Sequence, residues 1–104
     1  MVQVIWTTPA RQDMEELFRH CDALSHKKAT LCMEEFLEAA DNLAQMPESG
    51  PKEPVLAHLK RNYRYLVVLH RYKMIYLYEN NTCYILMIWD CRRNPKTLKT
   101  DNRF

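Results

Sequence analysis

Two runs of β-branched and aromatic residues in the last third of this 104-residue chain limit what it can fold into. The pair Asn80-Asn81 separates them, and it suits a tight hairpin because asparagine tolerates positive φ. The runs predict three strands, over about 63–70, 72–79 and 82–90. The last of these is apolar almost throughout, which predicts a central strand with both faces covered.

The first half of the chain predicts one strand and two helices. Residues 2–6 alternate in a way that is typical of a short strand. Thr8 can cap a helix whose first turn holds Pro9, and an apolar stripe follows at spacings of three and four. A second stripe predicts another helix from about Ala29 to Gln45, after a short polar joint. Two antiparallel helices follow from the short connection.

A proline-rich loop at 47–54 joins the helices to the strands. Neither side of it is long enough to fold alone, so we expect one domain over 1–104. Residues 55–59 fit either a short strand or a helical turn. The order predicts an α+β fold, with two N-terminal antiparallel helices packed on one face of a small, twisted, mainly antiparallel sheet of about four strands. The other face is expected to stay partly open.

The net charge of +2 hides an asymmetry between the two halves of the chain. Residues 1–50 hold nine acidic and four basic side chains, and residues 51–104 hold four acidic and eleven basic ones. A one-sided field of this kind can steer a polyanion or an acidic partner. It is equally consistent with acidic helices and basic strands that attract each other within one fold.

Several classes of protein do not fit the sequence. No apolar stretch approaches the roughly 18 residues of a membrane span, and the N-terminus carries no signal-peptide pattern, so we expect a cytoplasmic protein. The four cysteines show neither a CxxC pair nor zinc spacing, which favours reduced thiols and no metal site. No nucleotide-binding loop is present, and we expect no cofactor.

Several short motifs, in their order and spacing, resemble the RelE/ParE superfamily of bacterial type II toxins. The resemblance covers about residues 2–98 and rests on Val4-Ile-Trp-Thr with Ala10 and Asp13, Leu43-Ala-Gln-Met-Pro47 with Gly50, Tyr63-Arg64, Tyr72-Lys-Met-Ile-Tyr76, and Ile88-Trp-Asp-Cys-Arg-Arg-Asn-Pro95 with Leu98. It implies a small toxin with a cognate antitoxin protein as its partner. Most characterised relatives cut ribosome-bound messenger RNA, whereas the ParE branch poisons DNA gyrase.

Three functions therefore stay open, and the first is the leading interpretation. The chain would be a metal-independent endoribonuclease that cleaves messenger RNA on the ribosome, a gyrase poison without nuclease activity, or an inactive module that binds the antitoxin. The stretch after residue 95 lacks the tyrosine or histidine that several ribonuclease relatives carry there, and no general base stands out. An ending of the form Arg-Arg-x-Pro-x-x-Leu is common in the ParE branch. The oligomeric state is not predicted.

Metal-free RNA cleavage requires cations at the phosphate as well as a general acid and base. The resemblance places Lys73, Arg92 and Arg93 at positions where relatives carry basic side chains, so they are the catalytic candidates. Arginine suits a phosphate because its planar fork contacts two oxygens at once. We expect the three cations to meet near one edge of the sheet.

A second set of cations could bind the nucleic acid backbone, namely Arg61, Arg64, His70 and Lys96. Each also has a simpler interpretation, because basic side chains on strands are mostly solvated or paired with acids. Asp90 could orient an arginine, cap a turn or act as a base. The tyrosines of the middle strand could stack bases, but packing in the core is the better interpretation.

Overall fold

The computed structural model describes residues 2–104, with two long helices on one side of a four-stranded sheet. The elements follow in the order β1 (Gln3–Trp6), α1 (Thr8–Asp22), α2 (His26–Gln45), a 3₁₀ helix (Pro54–Leu59), β2 (Tyr63–Val68), β3 (Tyr72–Glu79), β4 (Thr82–Asp90) and α3 (Pro95–Lys99). The predicted α+β class and the order of the main elements are confirmed. The undecided segment at 55–59 is helical, and α3 was not predicted.

Side-chain caps set the starts of α1 and α2. Thr7 and Ser25 each accept a backbone N–H of the following turn, at 3.4 and 3.3 Å. The prediction of a cap at Thr8 and of a second helix from about Ala29 is therefore corrected to Thr7 and His26. No helix in residues 2–104 combines the length and apolar character that crossing a bilayer requires.

The sheet has the order β1-β4-β3-β2, with β4 at an inner position as predicted. β1 pairs with β4 in parallel, and the two hairpins are antiparallel. Asn80 and Asn81 have φ of 54° and 58°, which confirms the predicted tight turn. Leu69 and His70 also have positive φ, at 58° and 56°, so they form a second turn and end β2 earlier than predicted.

A β-bulge decides which side chains of β4 face the helices. Ile85 pairs with Tyr76 and Met87 pairs with Ile75, so Leu86 is the extra residue. Before the bulge, the odd-numbered residues of β4 pack under the helices, and after it they lie on the opposite face. The face under the helices holds one buried cluster: Ala10, Phe36, Ala40, Leu43, Val68, Tyr72, Met74, Tyr76, Cys83 and Ile85.

The opposite face of the sheet is covered, which corrects the expectation of a partly open surface. A second buried cluster there joins side chains of β2, β3 and β4 to Leu56 of the 3₁₀ helix and Leu98 of α3, both fully buried. The chain ends against the same face, where the rings of Phe104 and Tyr63 meet edge to face at 5.5 Å. The 3₁₀ helix and α3 cover this face. Both are too short to show an apolar periodicity, so the sequence did not indicate that they pack there.

Candidate functional site

Lys73 lies on the covered face of the sheet and is held by a carboxylate. Its Nζ donates to the two carboxylate oxygens of Glu53 at 2.9 and 3.3 Å, and it sits 4.2 Å from the centre of the Tyr65 ring. The Glu53 side chain is fully buried, whereas that of Lys73 is 24% exposed. The positive charge of Lys73 therefore balances a buried negative charge.

Arg92 is also paired, although at the surface. Its guanidinium donates to both oxygens of Asp90, the shortest contact being 2.8 Å from Nη2. Asp90 accepts the backbone N–H of Arg92 as well, at 2.9 Å, so this carboxylate both caps the turn after β4 and orients the arginine. Nη2 of Arg71 approaches the same carboxylate at 3.6 Å. One negative charge thus faces two guanidinium groups.

Arg93 is the exception among the three catalytic candidates. Its guanidinium carbon lies 4.3 Å from the centre of the Trp89 ring, and no carboxylate within residues 2–104 lies at ion-pair distance from it. Trp89 pairs with Lys73 across β3 and β4. Lys73 therefore lies at the same end of the sheet as Arg93, but it is bound to Glu53 on the covered face and does not meet the arginines at an exposed edge as expected. Of the three candidates, only Arg93 has no acidic partner within residues 2–104.

A cavity of about 380 Å³ opens at this end, between α1 and the ends of β3 and β4. Arg92 and Arg93 line it, and Lys73 does not. The other walls come from side chains of α1, of the turn between β2 and β3, of the start of β3 and of β4. They are Asp13, Glu16, Leu17, His20, Arg71, Tyr72, Ile88 and Asp90. The cavity brings guanidinium, imidazole and carboxylate groups together.

Asp13, which lines this cavity, is held by Arg103, although 90 positions separate the two residues. The guanidinium of Arg103 donates to both oxygens of Asp13, at 2.6 and 2.9 Å, and to the carbonyl of Leu86 at 3.0 Å. Asp13 also accepts the backbone N–H of Ile88 at 3.0 Å. The hydrogen bonds that Arg103 donates to Asp13 raise the pKa of Arg103 above its ordinary value. The two side chains satisfy the edge of β4 beyond the point where β1 ends.

Arg61 and Arg64, two of the nucleic-acid candidates, make internal contacts. Arg61 forms a two-bonded pair with Glu79, at 2.9 and 2.6 Å, and these bonds raise the pKa of Arg61 and lower that of Glu79. Arg64 is only 14% exposed and donates to the carbonyl of Gly50 at 2.7 Å. Arg61 lies at the end of the sheet far from the cavity, because Glu79 closes β3 at the Asn80 turn.

His70 and Lys96 are exposed. His70 occupies the tight turn between β2 and β3, next to Arg71 of the cavity. Lys96 belongs to α3, which packs against the 3₁₀ helix on the covered face. The four nucleic-acid candidates therefore lie on separate parts of the surface, and their binding role stays a prediction.

Sequence reasoning missed three side chains of the cavity, Glu16, His20 and Arg71, and it missed Arg103, which holds Asp13 in the cavity wall. Glu16 and His20 are one turn apart on α1, a spacing that puts them on the same face of a helix. That spacing was readable, but it does not show which face meets the sheet. Arg71 and Arg103 belong to a turn and to the chain end, where periodicity carries no signal.

Two comparisons with known proteins give matches. Residues 4–95 match the family described as ParE toxin of type II toxin–antitoxin system, parDE. The fold is similar to a solved chain titled chromosomal ParDE TA system from P. aeruginosa, with a TM-score of 0.69 and 20% identity over 86% of this chain and 96% of that chain. A comparison with curated protein sequences gave no match. The likeness in structure at this identity concerns the fold alone.

Proposed function

This chain belongs to the ParE toxin family of type II toxin–antitoxin systems, and on that basis we propose that it arrests growth by poisoning DNA gyrase, without cutting RNA. Its partner in the cell is a cognate antitoxin, as the family description implies. The proposal departs from the leading interpretation of the sequence, which was a ribonuclease. The reason lies in how the candidate cations are paired.

The Lys73–Glu53 pair carries this proposal. Cleavage through the ribose 2′-hydroxyl needs cations that are free to follow the charge growing on the phosphate oxygens. Lys73 is bound to a fully buried carboxylate at 2.9 Å, and Arg92 is bound to Asp90 at 2.8 Å. Taking either cation away from its acid would leave a desolvated or partly desolvated charge behind, which opposes a catalytic role. A poison that works by binding has no such requirement.

Arg93 is the side chain that we assign to the contact with the target. It has no acidic partner within residues 2–104, it stacks on Trp89, and it lines the cavity. We expect Arg93→Gln to weaken inhibition of gyrase by about tenfold, equivalent to roughly 1.4 kcal/mol of binding energy. Lys99→Gln is the matched control, since it removes one exposed positive charge from α3.

Two assays with the purified protein and with growing cells test the proposal. We expect the protein to inhibit DNA supercoiling by purified gyrase, and its expression to induce a DNA-damage response while transcripts stay intact. New transcript ends after induction, together with uninhibited gyrase, would contradict the proposal. A folded product that neither stops growth nor inhibits gyrase would instead favour the inactive antitoxin-binding module.

The endoribonuclease remains the second candidate because of Glu16 and His20. They line the same cavity as Arg92 and Arg93, so acid–base groups and cations are present in one place. This alternative predicts that His20→Gln abolishes cleavage of ribosome-bound messenger RNA and leaves the fold intact. Mapping of transcript ends in cells that express the wild-type and variant proteins tests it, with His58→Gln in the 3₁₀ helix as a control.

A further inference from the structure

Arg71 is a cation of the cavity whose donors are poorly satisfied. Its Nε is buried and has no hydrogen-bond partner within residues 2–104. Its Nη2 lies 3.6 Å from the Asp90 carboxylate, which is longer than a hydrogen bond, and its guanidinium carbon lies 5.3 Å from the centre of the Tyr72 ring. By contrast, Arg61, Arg92 and Arg103 each hold a carboxylate at 2.8 Å or less.

The surroundings of Arg71 leave an excess of positive charge. Asp90 is the acid nearest to it and is already bonded to Arg92, while Asp13 is bonded to Arg103. Arg93 has no acid at ion-pair distance within the described chain. A negative group that entered the cavity would therefore meet guanidinium groups whose charge and hydrogen-bond donors are only partly paired.

We propose that this cavity binds a carboxylate side chain, an aspartate or glutamate of the antitoxin, with Arg71 as its main ligand. The inference rests on the proposed antitoxin pairing only for the source of the carboxylate. The planar guanidinium can offer Nε–H and Nη–H together to one carboxylate, the two-bonded arrangement that Arg61 already shows with Glu79. Nε of Arg71 has to turn out of its buried position, and no existing hydrogen bond of Nε opposes that turn.

The walls of the cavity favour a carboxylate over a phosphate of a nucleic acid backbone. Glu16 and Asp90 are part of the lining, and a nucleic acid backbone would bring several successive phosphates toward them, whereas an acidic side chain brings a single negative charge. Leu17, Tyr72 and Ile88 provide apolar contacts that suit the aliphatic stem of an acidic side chain. A bound antitoxin side chain would also cover Arg93, so the same contact would keep the toxin from its target.

Nuclear magnetic resonance of the arginine Nε–Hε groups tests the inference on the whole protein. The probes are butyrate, a carboxylate on a short stem, and dimethyl phosphate, a phosphate that carries the single negative charge of the nucleic acid backbone. We expect butyrate to shift the Arg71 signal saturably and more tightly than dimethyl phosphate does. Followed at the Arg93 signal, Arg71→Met should weaken butyrate binding at least tenfold, and Arg61→Met, which removes an arginine at the other end of the sheet, should leave it unchanged. If Arg71→Met does not fold, Arg71→Lys takes its place.

Three outcomes would overturn the inference. The first is a butyrate titration without saturation at Arg71, and the second is dimethyl phosphate binding tenfold tighter than butyrate, which would indicate a nucleic acid backbone instead. The third concerns the source of the carboxylate. In the complex with the antitoxin, the Arg71 signal should no longer respond to butyrate, because an antitoxin side chain already occupies the cavity. A response that persists in the complex excludes the antitoxin carboxylate. Because no step uses toxicity, butyrate binding by a chain that fails to inhibit gyrase would contradict the proposed function and leave this inference standing.

Discussion

Replacing Lys73 by methionine should destabilise the protein strongly, because the change leaves Glu53 charged and buried. The Glu53 side chain has no exposed surface, and its carboxylate bonds to Lys73 Nζ at 2.9 Å. Its remaining polar contact is the backbone N–H of Val55, at 3.3 Å. Methionine keeps the length and the apolar stem of lysine, so the main change is the lost charge, including its contact with the Tyr65 ring.

The size of the effect follows from the burial of the two partners. Removing one partner of a buried ion pair costs roughly 3–5 kcal/mol, a large share of the roughly 5–15 kcal/mol that stabilises a domain. Glu53→Gln should cost less, about 1–2 kcal/mol, because Lys73 is 24% exposed and can turn its charge to water. The double variant removes both charges, and we expect it to recover most of the loss caused by Lys73→Met.

Urea unfolding of the wild type, Lys73→Met, Glu53→Gln and the double variant measures these free energies as a double-mutant cycle. With a slope of about 1–3 kcal/mol per molar urea, Lys73→Met should lower the midpoint by roughly 1–5 M, and the coupling energy of the two positions should exceed about 2 kcal/mol. Growth assays add the functional side. If Lys73 supports toxicity only by neutralising Glu53 and so stabilising the fold, the double variant regains toxicity together with stability.

Two results would contradict this account of Lys73. A midpoint for Lys73→Met within about 0.3 M of the wild type would show that Glu53 does not depend on the lysine. A double variant that is stable but not toxic would show that Lys73 contacts the target or takes part in a reaction. The second result would revive the catalytic role predicted from the sequence.

Three further changes have expected outcomes that urea unfolding can check. Tyr76→Phe should cost about 1–3 kcal/mol, since the buried hydroxyl donates to the carbonyl of Pro47 at 2.8 Å and accepts the N–H of Gly50 at 3.2 Å. Gly50→Ala should cost about 1–3 kcal/mol or more, because the new Cβ would lie 2.2 Å from the backbone oxygen of Tyr65. Burial raises the pKa of the Cys83 thiol from 9.0 to about 11. The unfolded chain therefore loses that proton first, and the free energy of unfolding should fall as the pH rises from about 9 to about 11, less so in Cys83→Ala.

The regular elements of this fold could be predicted from local patterns. Alternation marked β1, the spacing of three and four marked α1 and α2, and Asn80-Asn81 marked the hairpin of β3 and β4. Each of these patterns involves only residues close together in the sequence, and the structure contains each predicted element. The end of β2 was misplaced because Leu69 adopts positive φ, which a bulky side chain rarely does.

The candidate site was less predictable because its contacts join distant parts of the chain. Glu53 belongs to the proline-rich loop and meets Lys73 from 20 positions away. Arg103 reaches Asp13 across 90 positions. Basic residues could be found from the sequence, but whether a given cation is free or paired depends on where the acids fold. That distinction decides between a catalytic and a structural role for Lys73.

The folded protein keeps the charge asymmetry of the sequence, because most of its ion pairs form within one half of the chain. The four acids of the basic half, Glu53, Glu79, Asp90 and Asp101, are all used by basic side chains of that half. Among residues 2–104 the ion pairs between the two halves are those of Arg103 with Asp13 and of Arg64 with Glu48. Mutual attraction of acidic helices and basic strands therefore accounts for little of the imbalance. Apart from Asp13, the acids of α1 and α2 form no ion pair with the basic half within residues 2–104, so they and the spare cations near the cavity can meet an antitoxin or a target.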